Sequence, residues 1–375
     1  MSDAKRLTAH LAVGVLFAFG SAVHAQAVKI EPAKEPAEKH VAAYVDPKWK
    51  APRTSWGDPL LEGVYSTDDM RSVPRDRAED QGTREELNAE EFAKRAQSDY
   101  EERDRVLNTS SYSATSVGSR TFGWTSQVID PPNGRTPAYT AAAKARARPS
   151  DRGSYGAGPF NTFDDLSLYD RCLTRGILGS SFAVVYGNGV RIAQSPDSVV
   201  ISYEMLPDSR VIPLDGRPHA QSSLKQWIGN SRGHWEGDTL VVETTNMTDR
   251  TSIGGNGLGI RHTDQLKLTE WLRRVDPEMV EYKARVDDAG TYEAPWTVRM
   301  MWSTQPGYEI FEYSCHEANR AVSGSLGGER NYEKRVKEAI AQGKPPPARL
   351  ASQPFLAPLP KEDAVFLNVN KGDAR

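Results

Sequence analysis

The chain is poor in cysteine, in histidine and in net charge, and each shortage excludes something. Only 2 cysteines and 7 histidines occur in 375 residues, which rules out a disulfide-dense scaffold and any cysteine-rich metal module. The 47 basic and 50 acidic side chains nearly cancel, leaving a formal charge of −3. Nucleic-acid binders gather a basic excess on one face, so nucleic acid is not an expected partner. There is no Walker-type phosphate loop, no His-Glu-x-x-His, no Cys-x-x-Cys and no Gly-x-Ser-x-Gly. Gly254-Gly255-Asn256-Gly257-Leu258-Gly259 is rich in glycine but does not stand between a strand and a helix. It reads as a mobile loop near a cavity mouth, and no cofactor is expected.

What is present begins with an export signature. Lys5 and Arg6 precede the apolar residues 11–23, which end in Val23-His24-Ala25 with small residues where signal peptidase reads. Removing residues 1–25 takes away Lys5, Arg6 and Asp3, a net +1, so the mature chain carries −4. No later run is apolar enough to span a membrane, and the expected location is the periplasm or the cell exterior. In such an oxidising compartment a Cys172–Cys315 disulfide is the first expectation. Two buried thiols, or a reactive Cys315 beside His316, are the alternatives.

Residues 26–52 are rich in Pro, Lys, Glu and Ala without apolar periodicity and read as a flexible leader. Residues 53–175 read as a helical and irregular wrapping segment. Asn88 and Glu91 have capping-box spacing and open a helix to about Leu107, with shorter helices expected over 140–148 and 165–175. Residues 176–328 hold the β-rich core. There 182–186 and 190–194 flank an Asn188-Gly189 turn, followed by runs at 198–205, 210–214, 235–245, 266–275, 280–286, 296–303 and 308–315. Short strands in close succession with no interleaved helices predict an antiparallel meander with peripheral helices. A closed, lipocalin-like barrel is the expected form, and a β-sandwich is the alternative. A helix over 329–341 and a proline-rich tail complete the chain to residue 375.

Three of the five histidines left after signal removal stand beside opposite charges in short polar segments: Asp215-Gly216-Arg217-Pro218-His219, Arg261-His262 and Cys315-His316-Glu317. The functional reading makes His219 and His316 acid–base groups assisted by Asp215 and Glu317. Arg217, His262, Asn319, Tyr186 and Glu270 would contact the substrate. The bland reading is a turn in which Asp215 pairs with Arg217, and polar residues that satisfy backbone groups around Cys315. Zinc held by His219, His262 and His316 is a further alternative, although no local ligand spacing supports it.

Four segments resemble a large, mostly uncharacterised family of secreted bacterial proteins. They are Trp56-Gly57-Asp58-Pro59, Ile212-Pro213-Leu214-Asp215-Gly216-Arg217-Pro218-His219, Ser231-Arg232-Gly233-His234-Trp235-Glu236-Gly237-Asp238-Thr239-Leu240-Val241-Val242 and Cys315-His316-Glu317. Where some members carry histidine three residues before Glu270, this chain has Lys267. The resemblance extends, for some relatives, to cofactor-independent lyases or decarboxylases of lignin-derived aromatic dimers. Together with the histidines it implies a secreted, cofactor-independent lyase acting on a small aromatic or hydrophobic carboxylate. The competing expectations are a periplasmic binding protein for an apolar small molecule and a zinc-dependent hydrolase. The oligomeric state is not legible.

Overall fold

The computed structural model describes residues 48–109, 118–151, 153–154, 158–184 and 186–348. The expected signal peptide, most of the leader and the proline-rich tail lie outside these residues. Among the described residues, no helix is long and apolar enough to cross a membrane.

The architecture is one antiparallel sheet with few helices. Its strands are β1 (Gly63–Ser66), β2 (Val128–Asp130), β3 (Gly189–Ser195), β4 (Ser198–Tyr203), β5 (Ser209–Pro213), β6 (Asn230–Glu236), β7 (Thr239–Thr245), β8 (Lys267–Asp276), β9 (Met279–Asp287) and β10 (Trp296–Ser303). Their spatial order is β5-β4-β3-β1-β10-β9-β8-β7-β6. Strand β1 comes from the N-terminal segment yet lies in mid-sheet, pairing Gly63 with Ile192 of β3 and Ser66 with Ser303 of β10. The rest of that β10 edge is taken by β2.

Period-two alternation decides which face is buried. Along β9, Val280, Tyr282, Ala284 and Val286 are buried while Glu281, Lys283 and Arg285 between them are partly exposed. Facing positions on β8 and β10 supply Leu268, Leu272, Trp296, Val298, Met300 and Trp302. Tyr282 stacks on Trp302 with ring centroids 4.6 Å apart. The sheet curls, so that its two ends approach. A Cβ placed on Gly233 of β6 would stand 2.8 Å from Ile212 and 2.9 Å from Leu214, on or just after β5. A side chain at this position would force Ile212 and Leu214 to shift.

The expected closed barrel is corrected by this edge. β5 and β6 meet through side chains and form no ladder, so the curled sheet is sandwich-like. At this seam the Ile212 and Leu214 side chains pack over Gly233, and Pro213 has no amide hydrogen to donate. A buried ion pair spans the interior near this seam. Arg210 of β5 donates to Glu270 of β8 at 2.6 and 2.5 Å, and the Tyr282 hydroxyl donates to the same carboxylate at 2.8 Å. Burial works against the charge on Arg210, and the Glu270 carboxylate outweighs it, holding the guanidinium pKa above its ordinary value.

Among the described residues four α-helices lie outside the sheet: α1 (Ala89–Thr109), α2 (Ala141–Ala145), α3 (Ile177–Ser181) and α4 (Ala321–Ala341). The expected capping box is present, with Glu91 N–H donating to Asn88 and Asn88 N–H donating to Glu91, each at 2.9 Å. Several sequence expectations are overturned. Residues 165–175 are turns, with Cys172 at a φ of 56°. Residues 182–184 and 186 are not in a strand: the Asn188 side chain binds both the amide and the carbonyl of Val184 and makes a turn where a ladder was expected. Residues 308–315 are irregular: Glu204 accepts from the Tyr308 hydroxyl and from Phe311 N–H, which ties the segment to β4 through a side chain. Helix α4 starts at Ala321 and not at Glu329, carrying Gly324, Gly327 and Gly328 in its first half.

The Cys172–Cys315 disulfide is present, with the Cα atoms 5.6 Å apart. It ties the segment before α3 to the segment after β10. Disulfides of this kind persist in oxidising compartments.

Candidate functional site

An arginine-lined cavity is built by the long connections of the fold. It has a volume of about 460 Å³ and lies between the β2–β3 connection, which carries α2 and α3, and the β7–β8 connection. Its wall contains six arginines, Arg146, Arg148, Arg171, Arg175, Arg250 and Arg261, against four aspartates, Asp151, Asp164, Asp249 and Asp264. The lining therefore carries a cationic excess, although the whole chain is slightly acidic.

Each group is held by the local structure. Arg146, just past α2, donates to Gly290 carbonyl at 2.8 Å, to Arg261 carbonyl at 3.0 Å and to Thr291 at 2.5 Å. Arg261 meets Asp151 at 3.3 Å, and Arg171 meets Asp164 at 3.0 Å. Burial pushes the Asp151 carboxyl above its usual range, against the Arg148 backbone amide and the Arg261 charge. The glycine-rich loop forms part of the wall. Its backbone is bonded to Ser154 and Asp151 at 2.9 and 2.8 Å, and Gly257, at a φ of 77°, sits where a Cβ would meet Ser167 at 2.9 Å.

Arg175 differs from the other arginines. It is 2 % exposed, and no carboxylate among the described residues pairs with it. One terminal nitrogen donates to Phe182 carbonyl at 3.3 Å, and its buried Nε has no hydrogen-bond partner. Burial pulls its pKa down to about 10, while the nearby Tyr169, Tyr313 and Tyr203 act in the opposite direction. A cation taken out of water costs several kcal/mol unless an anion or a full set of acceptors meets it. The fold supplies neither.

His262, 2 % exposed, also borders the cavity. Its Nδ1 lies 2.8 Å from the Thr263 carbonyl, and its Nε2 is bonded to the Thr251 hydroxyl. A carbonyl only accepts, so Nδ1 carries the proton and Nε2 accepts from Thr251. Burial lowers the imidazole pKa, which keeps this ring neutral.

The other expected site residues lie elsewhere. His219 is 3.3 Å from Asn230 at the start of β6, and Asp215 and Arg217 pair with each other on an exposed turn. That pairing holds the Asp215 carboxyl below its usual range. His316 and Glu317 are exposed on the turn after Cys315, where Asn319 donates to Asp170 carbonyl and to Cys172 sulfur at 3.0 Å each. Tyr186 faces Tyr313 at 6.3 Å, beside the disulfide. Glu270 is sealed in the sheet interior by Arg210. His219 and His316 line none of the described cavities. The zinc alternative is also corrected: both ring nitrogens of His262 are committed, and no group of three His, Cys, Asp or Glu among the described residues suits a metal ion.

Of the residues that do line the cavity, the sequence reading singled out Arg261 and His262, together with Gly257 in the glycine-rich loop expected near a cavity mouth. The local signal for the rest was the density of arginine at Arg146, Arg148, Arg171 and Arg175 within a chain of balanced charge. Compared with known proteins, the chain matches no family model and no curated protein.

Proposed function

We propose that this protein binds a small organic acid in the arginine-lined cavity. Arg175 carries the reading, because it is a buried arginine in the cavity lining with which no carboxylate among the described residues pairs. A carboxylate entering the cavity would supply the missing acceptors and form charge-assisted hydrogen bonds in a poorly hydrated setting. The volume of about 460 Å³ falls within the range that takes a small ligand.

Titration calorimetry on the purified chain tests this with benzoate, vanillate, galacturonate and inorganic phosphate. At least one acid is expected to bind, and Arg175→Met to weaken it tenfold or more. Unaltered binding in Arg175→Met, or no heat with any acid, sinks the proposal.

A lyase acting on the bound acid is the second reading, favoured by the presence of the neutral His262, bonded to Thr251, in the cavity wall. Proton transfer would then pass through His262 and not through His219 or His316. Product formation lost in His262→Gln and retained in His219→Ala and His316→Ala would make the protein an enzyme. Binding without turnover of any acid would make it a carrier.

A further inference from the structure

Thr251 and His262 lie 11 positions apart in the β7–β8 connection, which folds back on itself so that the His262 amide donates to the Thr251 carbonyl at 3.1 Å. Both are buried, Thr251 at 4 % and His262 at 2 % exposure, and both line the arginine-rich cavity. The Thr251 hydroxyl gives its one proton to Nε2, because the Nδ1 hydrogen is already donated to the Thr263 carbonyl.

The imidazole is held by its chain neighbours. Before it, the Arg261 carbonyl accepts from Arg146 at 3.0 Å. After it, Thr263 is bound by the buried Asp288, which accepts from the Thr263 amide at 2.7 Å and from its hydroxyl at 2.6 Å. A hydroxyl bonded to an imidazole whose other nitrogen is anchored by a third group is the arrangement that activates an oxygen nucleophile. Here the third group is a backbone carbonyl on a residue fixed by Asp288, where a carboxylate more commonly stands.

A hydroxyl can also satisfy a buried histidine for packing alone, yet the surroundings add two features that packing does not need. The lining carries six arginines against four aspartates, a field that favours the negative oxygen of a tetrahedral intermediate. Ser252, next in the chain and also in the lining, keeps a buried hydroxyl with no hydrogen-bond partner among the described residues.

We propose that Thr251 and His262 form an acyl-transfer pair that hydrolyses an ester of a small carboxylic acid. Thr251 Oγ1 attacks the ester carbonyl carbon while its proton passes to His262 Nε2. The bond from that carbon to the alkoxide breaks, His262 returns the proton to the alkoxide, the alcohol departs, and the acyl group stays on Thr251 as an ester. Water then attacks the acyl carbon and gives a proton to His262. The bond to Thr251 breaks, its oxygen takes that proton back, and the free acid is released. Burial weakens the imidazole as a base, so the more electrophilic ester carbonyl is within its reach and an amide is not. This step goes beyond acid binding and needs no contact from Arg175. It differs from the lyase reading in that His262 acts through Thr251.

The test incubates the full chain with p-nitrophenyl acetate and p-nitrophenyl benzoate, follows release of nitrophenolate, and maps the acyl group by mass spectrometry after an acid quench. The acyl group is expected on Thr251, with turnover that falls in acid at a midpoint below the ordinary histidine value of 6.5. Thr251→Val should lower turnover about a hundredfold or more and remove the adduct. Thr251→Ser keeps a hydroxyl and should restore acylation, with the acyl group on the substituted position. Acylation confined to other residues, release no faster than in buffer, or full turnover in a folded Thr251→Val overturns the assignment. Calorimetric titration of the same samples with benzoate judges the organic-acid reading separately, since acid binding without acylation leaves that reading in place and acylation without acid binding removes it alone.

Discussion

Two arginines, Arg210 and Arg175, are buried to a similar degree, 4 % and 2 % exposed, and have opposite surroundings. Arg210 lies inside the curled sheet in a two-pronged bond to Glu270, with Tyr282 completing the carboxylate's partners. Arg175 stands in a wall made of loops beside the cavity, and no carboxylate among the described residues pairs with it. The first charge is compensated from within the chain and serves the fold, closing β5 over β8 where no backbone ladder does so. The second has no counter-charge among the described residues, and it is the charge that the proposed ligand would compensate. Equal burial therefore does not imply equal compensation.

The largest expected effect comes from untying the segment that carries Arg175. The disulfide closes a loop across 143 positions, so replacing both Cys172 and Cys315 by Ala should lower unfolding stability by about 5 kcal/mol in the chain-entropy model. Denaturant unfolding measures it, and an unchanged midpoint would mean the bond constrains nothing. Next is the compensated pair. Glu270→Gln strands the buried Arg210 and should cost about 3–5 kcal/mol, whereas Arg210→Met combined with Glu270→Leu should recover most of that loss. If the double variant falls as far as the single one, the pair does more than balance itself.

At the uncompensated site the sign reverses. Arg175→Met removes an unsatisfied buried cation and should leave the ligand-free protein as stable or about 1 kcal/mol more stable, while abolishing the gain that a bound acid gives. Thermal scans with and without ligand separate these, and a strongly destabilised ligand-free variant would place Arg175 with Arg210 as a structural charge.

The smallest effect is a slope. His262 is held neutral when folded, with its pKa below the ordinary 6.5, so the unfolded chain takes up the proton first as the pH falls. Its contribution to stability is whole above about pH 6.5 and is lost as the pH drops from there to the lowered folded value. Urea midpoints at pH 7 and pH 5 should therefore differ less in His262→Gln than in the parent chain. Equal differences would show that other groups govern the acid side.

The sheet was legible to the degree that its strands pair locally. β8, β9 and β10 alternate apolar and polar residues over eight to ten positions and are joined or flanked by clear turns, so the expected spans agree with the observed ones to within a few residues. β1 and β2, at four and three residues, are too short for a periodic signal and are held by β10 from far along the chain. The hairpin read at Asn188-Gly189 failed because Asn188 uses its side chain to bind Val184. The site was less legible. Polar histidine segments drew attention, yet His219, Asp215 and Arg217 satisfy one another or their neighbours on an exposed turn. Arg146, Arg175 and Thr251 carried no motif; they become a set only where two loops of the fold meet.

The order of residues by itself determined the alternation that makes β strands, the helix cap at Asn88, and the two cysteines available for one bond, because each depends on neighbours a few positions away or on simple counting. Tertiary structure alone decided that the sheet curls without closing, that Glu270 meets Arg210, and that Arg175 meets a backbone carbonyl and no carboxylate among the described residues. Compensation of charge is a matter of distance in space, and residues sixty positions apart acquire that distance only when the chain has folded.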